Sequence, residues 1–272
     1  MEMQKFYSNG KLLLTAEYVV LDGAKALAVP TKFGQNLIVK PGKNHEIHWT
    51  SFDSDSTIWF QDTITFEAIK NKTASDKNLT VKNTLIEILH QGYLQNPDFL
   101  QTNGYVIETH LTFPRNWGLG TSSTLINNIG QWLKIDAFEL LRKSFGGSGY
   151  DIACAQTNEP ILYWLDNEKA NFETVAFDPE FKENIHFVYL NQKRNSKSAI
   201  ADYHFNKTAQ LSQNIEAINA LTTDCILTTD LESFTRIINQ HEVLLSSILN
   251  TETVKAALFP DFDGAIKSLG AW

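Results

Sequence analysis

Three stretches of the chain carry residue types and spacings that could do chemistry. The first is Pro114-Arg115-Asn116-Trp117-Gly118-Leu119-Gly120-Thr121-Ser122-Ser123, which lies between a strand-like segment and an amphipathic helix. Gly118 and Gly120 allow the backbone to approach a ligand without a Cβ in the way. Free N–H groups and the positive end of a helix dipole at that point attract an anion. Hydroxyls at Thr121, Ser122 and Ser123 add hydrogen bonds, and one could ligate Mg²⁺ beside a phosphate. An ordinary capped helix explains the same residues, because Ser and Thr are common N-caps. No Gly-Lys-Ser/Thr ends the run, so it is not a Walker A loop.

The second stretch is Gly146-Gly147-Ser148-Gly149-Tyr150-Asp151. Three glycines in four residues are entropically costly and suit a chain that must take unusual dihedrals. Asp151 then heads a small apolar run, where its carboxylate is either a helix cap or a base for a hydroxyl proton. The third stretch is Ser8-Asn9-Gly10-Lys11, ahead of Leu12-Leu13-Leu14-Thr15-Ala16-Glu17-Tyr18. A single lysine at a strand start is most often a solvated charge. Glu17 interrupts two apolar runs and is expected to face solvent or a polar cleft.

Other candidates are weaker. Asp53, Asp55 and Thr57 resemble a calcium loop, but Ile58 and Ile64 replace its glycine and its closing glutamate. His45 and His48 are too isolated for a metal site, and Asp261-Phe262-Asp263-Gly264 reads as a turn. His241 reads as a surface histidine. Cys154 and Cys225 make neither a disulfide framework nor a CxxC zinc pair, which points to a reduced, cytoplasmic setting. With 23 Lys+Arg against 31 Asp+Glu the chain carries −8, which lacks the footprint of a general nucleic-acid binder. No apolar run approaches the ~20 residues that cross a bilayer, and Met1 to Gly10 lacks the core of a signal peptide. No nucleic acid or membrane partner is expected.

The elements that must position these residues are read from periodicity. Lys11 to Leu14, Tyr18 to Leu21, Ala26 to Val29 and Asn36 to Val39 read as strands, as do His45 to Trp49 and Thr57 to Phe60. Val81, Leu85, Ile88 and Leu89 recur at helical spacing, and Gly104 to Thr112 alternates as a strand. Leu125, Ile126, Ile129, Trp132 and Leu133 stripe the helix that follows the first glycine turn. Ile161 to Leu165 and Ile185 to Leu190 are strand-like. Beyond Lys207 the pattern is helical, through Ile215, Ile218 and Leu221 and then Phe234, Ile237, Ile238 and Leu244. A β-rich first part and a helix-rich last part give an α+β protein with a boundary near 170–185.

In this order, Asn9-Gly10-Lys11, Gly118-Leu119-Gly120-Thr121-Ser122 and Ser148-Gly149-Tyr150-Asp151 resemble the three motifs of the GHMP kinases, ATP-dependent small-molecule kinases. Gly149-Tyr150-Asp151-Ile152-Ala153 is similar to the signature of the bacterial branch known as GYDIA. Gly10 to Leu21 is similar to mevalonate and phosphomevalonate kinases rather than galactokinases. Gln192-Lys193-Arg194-Asn195-Ser196-Lys197 resembles a stretch that contributes to the acceptor pocket of mevalonate kinases.

The resemblance implies a GHMP fold: a ribosomal protein S5 domain 2-like ATP-binding half over 1–175 and a C-terminal α/β half over 176–272. It implies phosphoryl transfer from ATP, with Mg²⁺, to mevalonate, phosphomevalonate or a related small hydroxy acid, by a monomer or homodimer. Asp151 and Lys11 would be catalytic. Gly118, Leu119, Gly120, Thr121, Ser122 and Ser123 would surround the ATP phosphates. Glu17, Tyr18, Ser148, Gly149, Arg194, Ser196 and Lys197 would bind the acceptor. Ser122 would ligate Mg²⁺, with Glu139 as the nearby acidic candidate. Asn9, Ala16 and Tyr18 depart from the family's proline, glycine and histidine. Lys267-Ser268-Leu269-Gly270-Ala271-Trp272 looks like the opening of the third glycine-rich motif, so a truncated C-terminal half is expected. A non-catalytic nucleotide- or metabolite-binding protein is the alternative from another class.

Overall fold

A computed structural model describes residues 2–73, 80–191, 196–205 and 210–270. They form an α+β protein of two compact units, one from Met1–Lys11 and Thr31–Asn158, the other from Leu12–Pro30 and Glu159–Trp272. The expected boundary at 175/176 falls inside the second unit.

In the first unit, strands β1 (Gln4–Leu13), β2 (Ala26–Pro41), β3 (Glu46–Phe52), β4 (Ile58–Thr65) and β5 (Tyr105–Leu111) pair in the order β4-β3-β5-β2, with β1 also on β2. β2 and β5 are antiparallel with Gln35 opposite Leu111, whereas β3 and β5 are parallel with Ile47 opposite Tyr105. The parallel pair needs a crossover, supplied by α1 (Phe66–Asn71) and α2 (Val81–Gln95). Tyr105, Ile107, Thr109 and Leu111 alternate inward along β5. Tyr105 and Ile107, with Leu37, Val39, Ile47, Trp49 and Ile64, face a core completed by Leu85, Ile88 and Leu89 of α2. Ile126, Ile129, Trp132 and Leu133 of α3 (Thr121–Leu133) join that core, as the stripe predicts. Two further helices follow, α4 (Ala137–Ser144) and α5 (Tyr150–Gln156).

In the second unit, Ala26 to Ala28 of β2 pair antiparallel with β6 (Ile161–Asp166), and β6 with β7 (Lys169–Thr174). The helices are α6 (Ser196–Phe205), α7 (Leu211–Leu227), α8 (Leu231–Leu249) and α9 (Val254–Leu258). Leu27, Cys225, Ile237 and Ile238 make its small apolar core. Both cysteines are free and buried. No helix among the described residues is long and apolar enough to cross a membrane.

Three expectations are corrected. Tyr18 to Leu21 is not a strand: Val19–Asp22 is a 3₁₀ turn entered through left-handed Ala16 (φ 64°) and Tyr18 (φ 65°) and closed by Gly23. Val19 and Val20 are both buried, which neighbours on a one-sided strand cannot be. Ala26 to Val29 and Asn36 to Val39 are one strand through Pro30. That proline falls between the residues paired with β6 and those paired with β5, so neither ladder loses a donor there. Ile185 to Leu190 is in no strand, and Phe187, Val188 and Tyr189 are exposed.

Candidate functional site

The first unit gathers Lys11, the glycine turn and Asp151. Beyond β5, a short turn at Arg115–Trp117 leads to Gly118 (φ 76°) and Gly120 (φ 92°), both left-handed. A Cβ at Gly118 would meet nothing, so backbone conformation alone requires glycine there. A Cβ at Gly120 would lie 2.6 Å from Ser123 Oγ and 3.4 Å from the stem of Lys11. Gly120 is also the N-cap of α3 and makes no side-chain cap, so the first turn presents its N–H groups uncapped.

β1 is fastened to this turn. The Lys11 N–H donates to the Leu119 carbonyl at 3.1 Å, and Lys11 Nζ donates to the Gly118 carbonyl at 3.1 Å. Gly10 makes the approach possible, since a Cβ there would sit 2.8 Å from the Leu119 oxygen. Asn9 ties the same strand to the end of α5, its amide donating to the Thr157 carbonyl at 2.7 Å and Asn158 Oδ1 at 2.8 Å.

The second glycine turn brings Asp151 to the lysine. Gly146, Gly147 and Gly149 all take positive φ, and Gly149 is the N-cap of α5. Asp151 thus lies in the first turn, where Oδ1 accepts from the Ile152 N–H at 3.1 Å. Burial raises the Asp151 pKa above its usual 3.8, against the opposing pull of Lys11 and of the hydrogen bond from the Ile152 N–H. For Lys11, burial pulls downward, but the Tyr150 hydroxyl and the Asp151 carboxylate beside it outweigh that and the pKa is raised. A carboxylate more basic than usual beside a firmly protonated ammonium suits a base paired with an anion holder.

The other sequence candidates divide. Thr121 is half-buried and Ser122 exposed at the first turn of α3. Ser123 turns inward, its Oγ donating to the Gly120 carbonyl at 2.9 Å, and Leu119 is buried. Ser148 is half-buried in the second turn. Glu139 is engaged on α4, with Oε1 2.7 Å from Lys143 Nζ. Among the described residues, no group of three or more His, Cys, Asp or Glu could hold a metal ion.

In the second unit Glu17 faces neither solvent nor a cleft. It is buried and bonded to Lys267. Tyr18 is buried against Tyr203, ring centroids 5.8 Å apart. His241 is not on the surface: it is fully buried, and Nε2 accepts the Ala16 N–H at 2.9 Å. Its partners come from distant sequence, which periodicity does not reveal. Arg194 lies outside the described residues. Ser196 and Lys197 open α6, and their side chains are likewise outside what is described.

Sequence reasoning missed Tyr150, whose ring sits 5.6 Å from Lys11 Nζ. Burial raises its pKa, with Lys11 opposing. It stood inside the quoted motif, but the aim of a side chain at a helix start is not written in spacing. The sequence marks Lys267 only by its glycine-rich neighbours, not as the partner of Glu17.

No protein-family model matches the sequence, and no curated protein matches it. Solved structures do match in three dimensions. The mevalonate kinase of Methanococcus jannaschii is 16% identical with TM-score 0.66, over 93% of this chain and 81% of that one. Phosphomevalonate kinase of Streptococcus pneumoniae, in complex with phosphomevalonate and AMPPNP, is 13% identical with TM-score 0.64, over 90% and 80%. Galactokinase of Lactococcus lactis, complexed with galactose, is 12% identical with TM-score 0.63, over 99% and 83%. The fold is therefore that of the GHMP kinases. These three neighbours share the fold but differ in acceptor, so the likeness in shape leaves the substrate open.

Proposed function

We propose that this protein is an ATP-dependent small-molecule kinase that phosphorylates a hydroxyl of mevalonate or a related hydroxy acid, with phosphomevalonate as the nearest alternative acceptor. One observation carries the reading: Lys11, the Gly118–Gly120 turn and Asp151 meet within one unit. The acceptor hydroxyl gives its proton to the Asp151 carboxylate as its oxygen bonds to the γ-phosphorus and the bond to the ADP oxygen breaks. Lys11 and the uncapped N–H groups of α3 offset the negative charge around the turn. Such transfer depends on positioning and charge neutralisation rather than on covalent chemistry by the protein.

Ser122 could supply one protein ligand to a Mg²⁺ ion shared with the phosphates. The exposed Ser122 hydroxyl stands at the helix start, and Mg²⁺ commonly takes only one or two protein groups beside phosphates and water. When bound, it would neutralise phosphate charge. Glu139, already paired with Lys143, is not needed for this.

An ADP-release assay over mevalonate, phosphomevalonate, homoserine and galactose tests the reading. Turnover of mevalonate supports it, whereas turnover of galactose alone overturns the acceptor assignment and keeps the kinase. AMPPNP binding without turnover of any acceptor would instead favour a non-catalytic nucleotide-binding protein. Asp151→Asn and Lys11→Met should each lower kcat about 10²–10³-fold. Because Asp151 works ionised and its pKa is raised, activity should climb with pH through a midpoint above 3.8. Asp151→Asn should lose that limb, and wild-type kcat in either variant would remove the role assigned to it.

A further inference from the structure

Behind the glycine turn the first unit buries an uncharged side-chain network. Ser8, Gln35, Thr124, Asn127 and Asn128 are each at most 1% exposed. Ser8 Oγ donates to Asn128 Oδ1 at 2.8 Å and accepts from Asn127 Nδ2 at 2.8 Å. Asn128 Nδ2 donates to the Gln35 carbonyl at 2.9 Å, and Thr124 Oγ1 to Gln35 Oε1 at 2.9 Å. Asn127 also reaches α5: Nδ2 donates to the Ala155 carbonyl at 3.4 Å, and Oδ1 accepts from Gln156 Nε2 at 3.0 Å.

Helical arithmetic gives this network a meaning. Asn127 follows Ser123 by four residues, and Ala155 follows Asp151 by four, so each pair shares a helix face one turn apart. Ser123 and Asp151 each lie in the first turn of their helix, and Asn127 meets Ala155 one turn below. The hydrogen bonds of Asn127 with Ala155 and Gln156 fix how α3 and α5 slide past each other. Through Ser8, three residues before Lys11, the same amide reaches the strand that carries the lysine. Apolar residues would fill the space without needing partners, whereas a buried amide must be matched in place.

We propose that Asn127 is a positioning residue that sets the register of α3 against α5 and β1, and so the placement of Asp151 and Lys11 at the glycine turn. The inference rests on the kinase reading for its effect on rate, but not for its effect on geometry. A slip of one residue along a helix moves a side chain by about 1.5 Å. A misplacement of about 1 Å can cost about 10²-fold in rate.

The test compares wild type with Asn127→Leu, which fills similar volume without the hydrogen bonds. Crystal structures of both should show Asp151 displaced from the 118–120 turn by roughly 0.5–1.5 Å, within the slip of one helical residue. Turnover should fall about 10–100-fold in kcat, while KM for ATP and the Kd for AMPPNP stay within about threefold, since the glycine turn is intact. An unmoved Asp151, or a loss confined to KM and AMPPNP affinity, overturns the proposal. Should Asn127→Leu fail to fold, Ser8→Ala is judged by the same displacement and the same kcat-against-KM split. If wild type turns over no acceptor, the kinase reading fails, and the displacement alone still decides the register.

Discussion

The first unit buries Ser8, Gln35, Thr124, Asn127 and Asn128, none of them charged, and none leaves a buried polar atom unpartnered. The second unit buries Glu17, His241, Glu242, Lys267 and Ser268. There, Glu17 Oε2, His241 Nδ1, Glu242 Oε2 and Ser268 Oγ lack a hydrogen-bond partner among the described residues. Among the described residues the charges do not balance either. Lys267 is bonded to Glu17 and lies 3.8 Å from Glu242, so one cation serves two carboxylates. His241 supplies no second cation, because Nε2 accepts the Ala16 N–H and its one proton therefore sits on Nδ1. Burial, with Lys267 adding to it, holds the ring neutral by pushing its pKa well below 6.5. A matched neutral network specifies geometry at little cost in pH sensitivity, whereas an unbalanced charged cluster ties stability to protonation.

The largest expected effect breaks the charged cluster. Lys267→Met would leave Glu17 and Glu242 buried without a cation, which costs about 3–5 kcal/mol when one partner of a buried pair is removed. Denaturant unfolding at pH 8 should show that loss. The loss should shrink toward pH 5 as the carboxylates take up protons, for burial already raises the pKa of both. A loss that stays constant with pH would mean that Lys267 serves by packing its stem rather than by its charge.

The neutral network should answer differently. Ser8→Ala removes the hydroxyl that serves Asn127, Asn128 and Gln131, and Asn128 Oδ1 loses its donor. An orphaned buried acceptor costs about 1–3 kcal/mol. No member titrates, so the cost should be the same at pH 5 and pH 8. A cost that varied over that range would erase the contrast between the units.

The two clusters were also unequally legible in the sequence. The strand–glycine turn–helix unit at 105–133 followed from alternation, glycine spacing and an apolar stripe, all local signals. Glycine spacing and residue type point to Lys11, Gly118, Gly120 and Asp151, although only the ordered match of three motifs implies that they meet. Glu17 stands out as a charge between apolar runs, but its partner Lys267 is 250 residues away. His241 looked like a surface residue for the same reason: its hydrogen bond is to a backbone N–H 225 residues distant. Tyr18 to Leu21 misled because a short apolar run bounded by Asp-Gly fits a strand or a buried turn equally well. Asn127 and Asn128 sat on the buried face of α3, where polar residues have no sequence signature beyond interrupting the stripe.

The finest division between the clusters falls on Glu242. Its Oε1 accepts the Ser268 N–H at 3.1 Å, while Oε2 has no hydrogen-bond partner among the described residues and lies 3.8 Å from Lys267 Nζ. Burial, against the pull of Lys267, raises its pKa from the usual 4.5 to about 6. The sign follows from linkage: a carboxyl that binds its proton more tightly when folded favours the native state below pH 4.5, and that contribution is lost as pH rises through about 6. The interval corresponds to about 2 kcal/mol. Glu242→Gln keeps an acceptor for Ser268 and cannot ionise, so it should be more stable than wild type by about that amount at pH 8. The advantage should fade to nothing below pH 4.5. His241 works in the opposite sense, since the unfolded chain protonates its histidine in acid while the folded chain resists. That contribution is common to both proteins and cancels in the difference between their unfolding curves. A Glu242→Gln variant less stable than wild type at pH 8 would mean that the ionised carboxylate's attraction to Lys267 outweighs its burial, and the second unit's cluster would then be balanced after all.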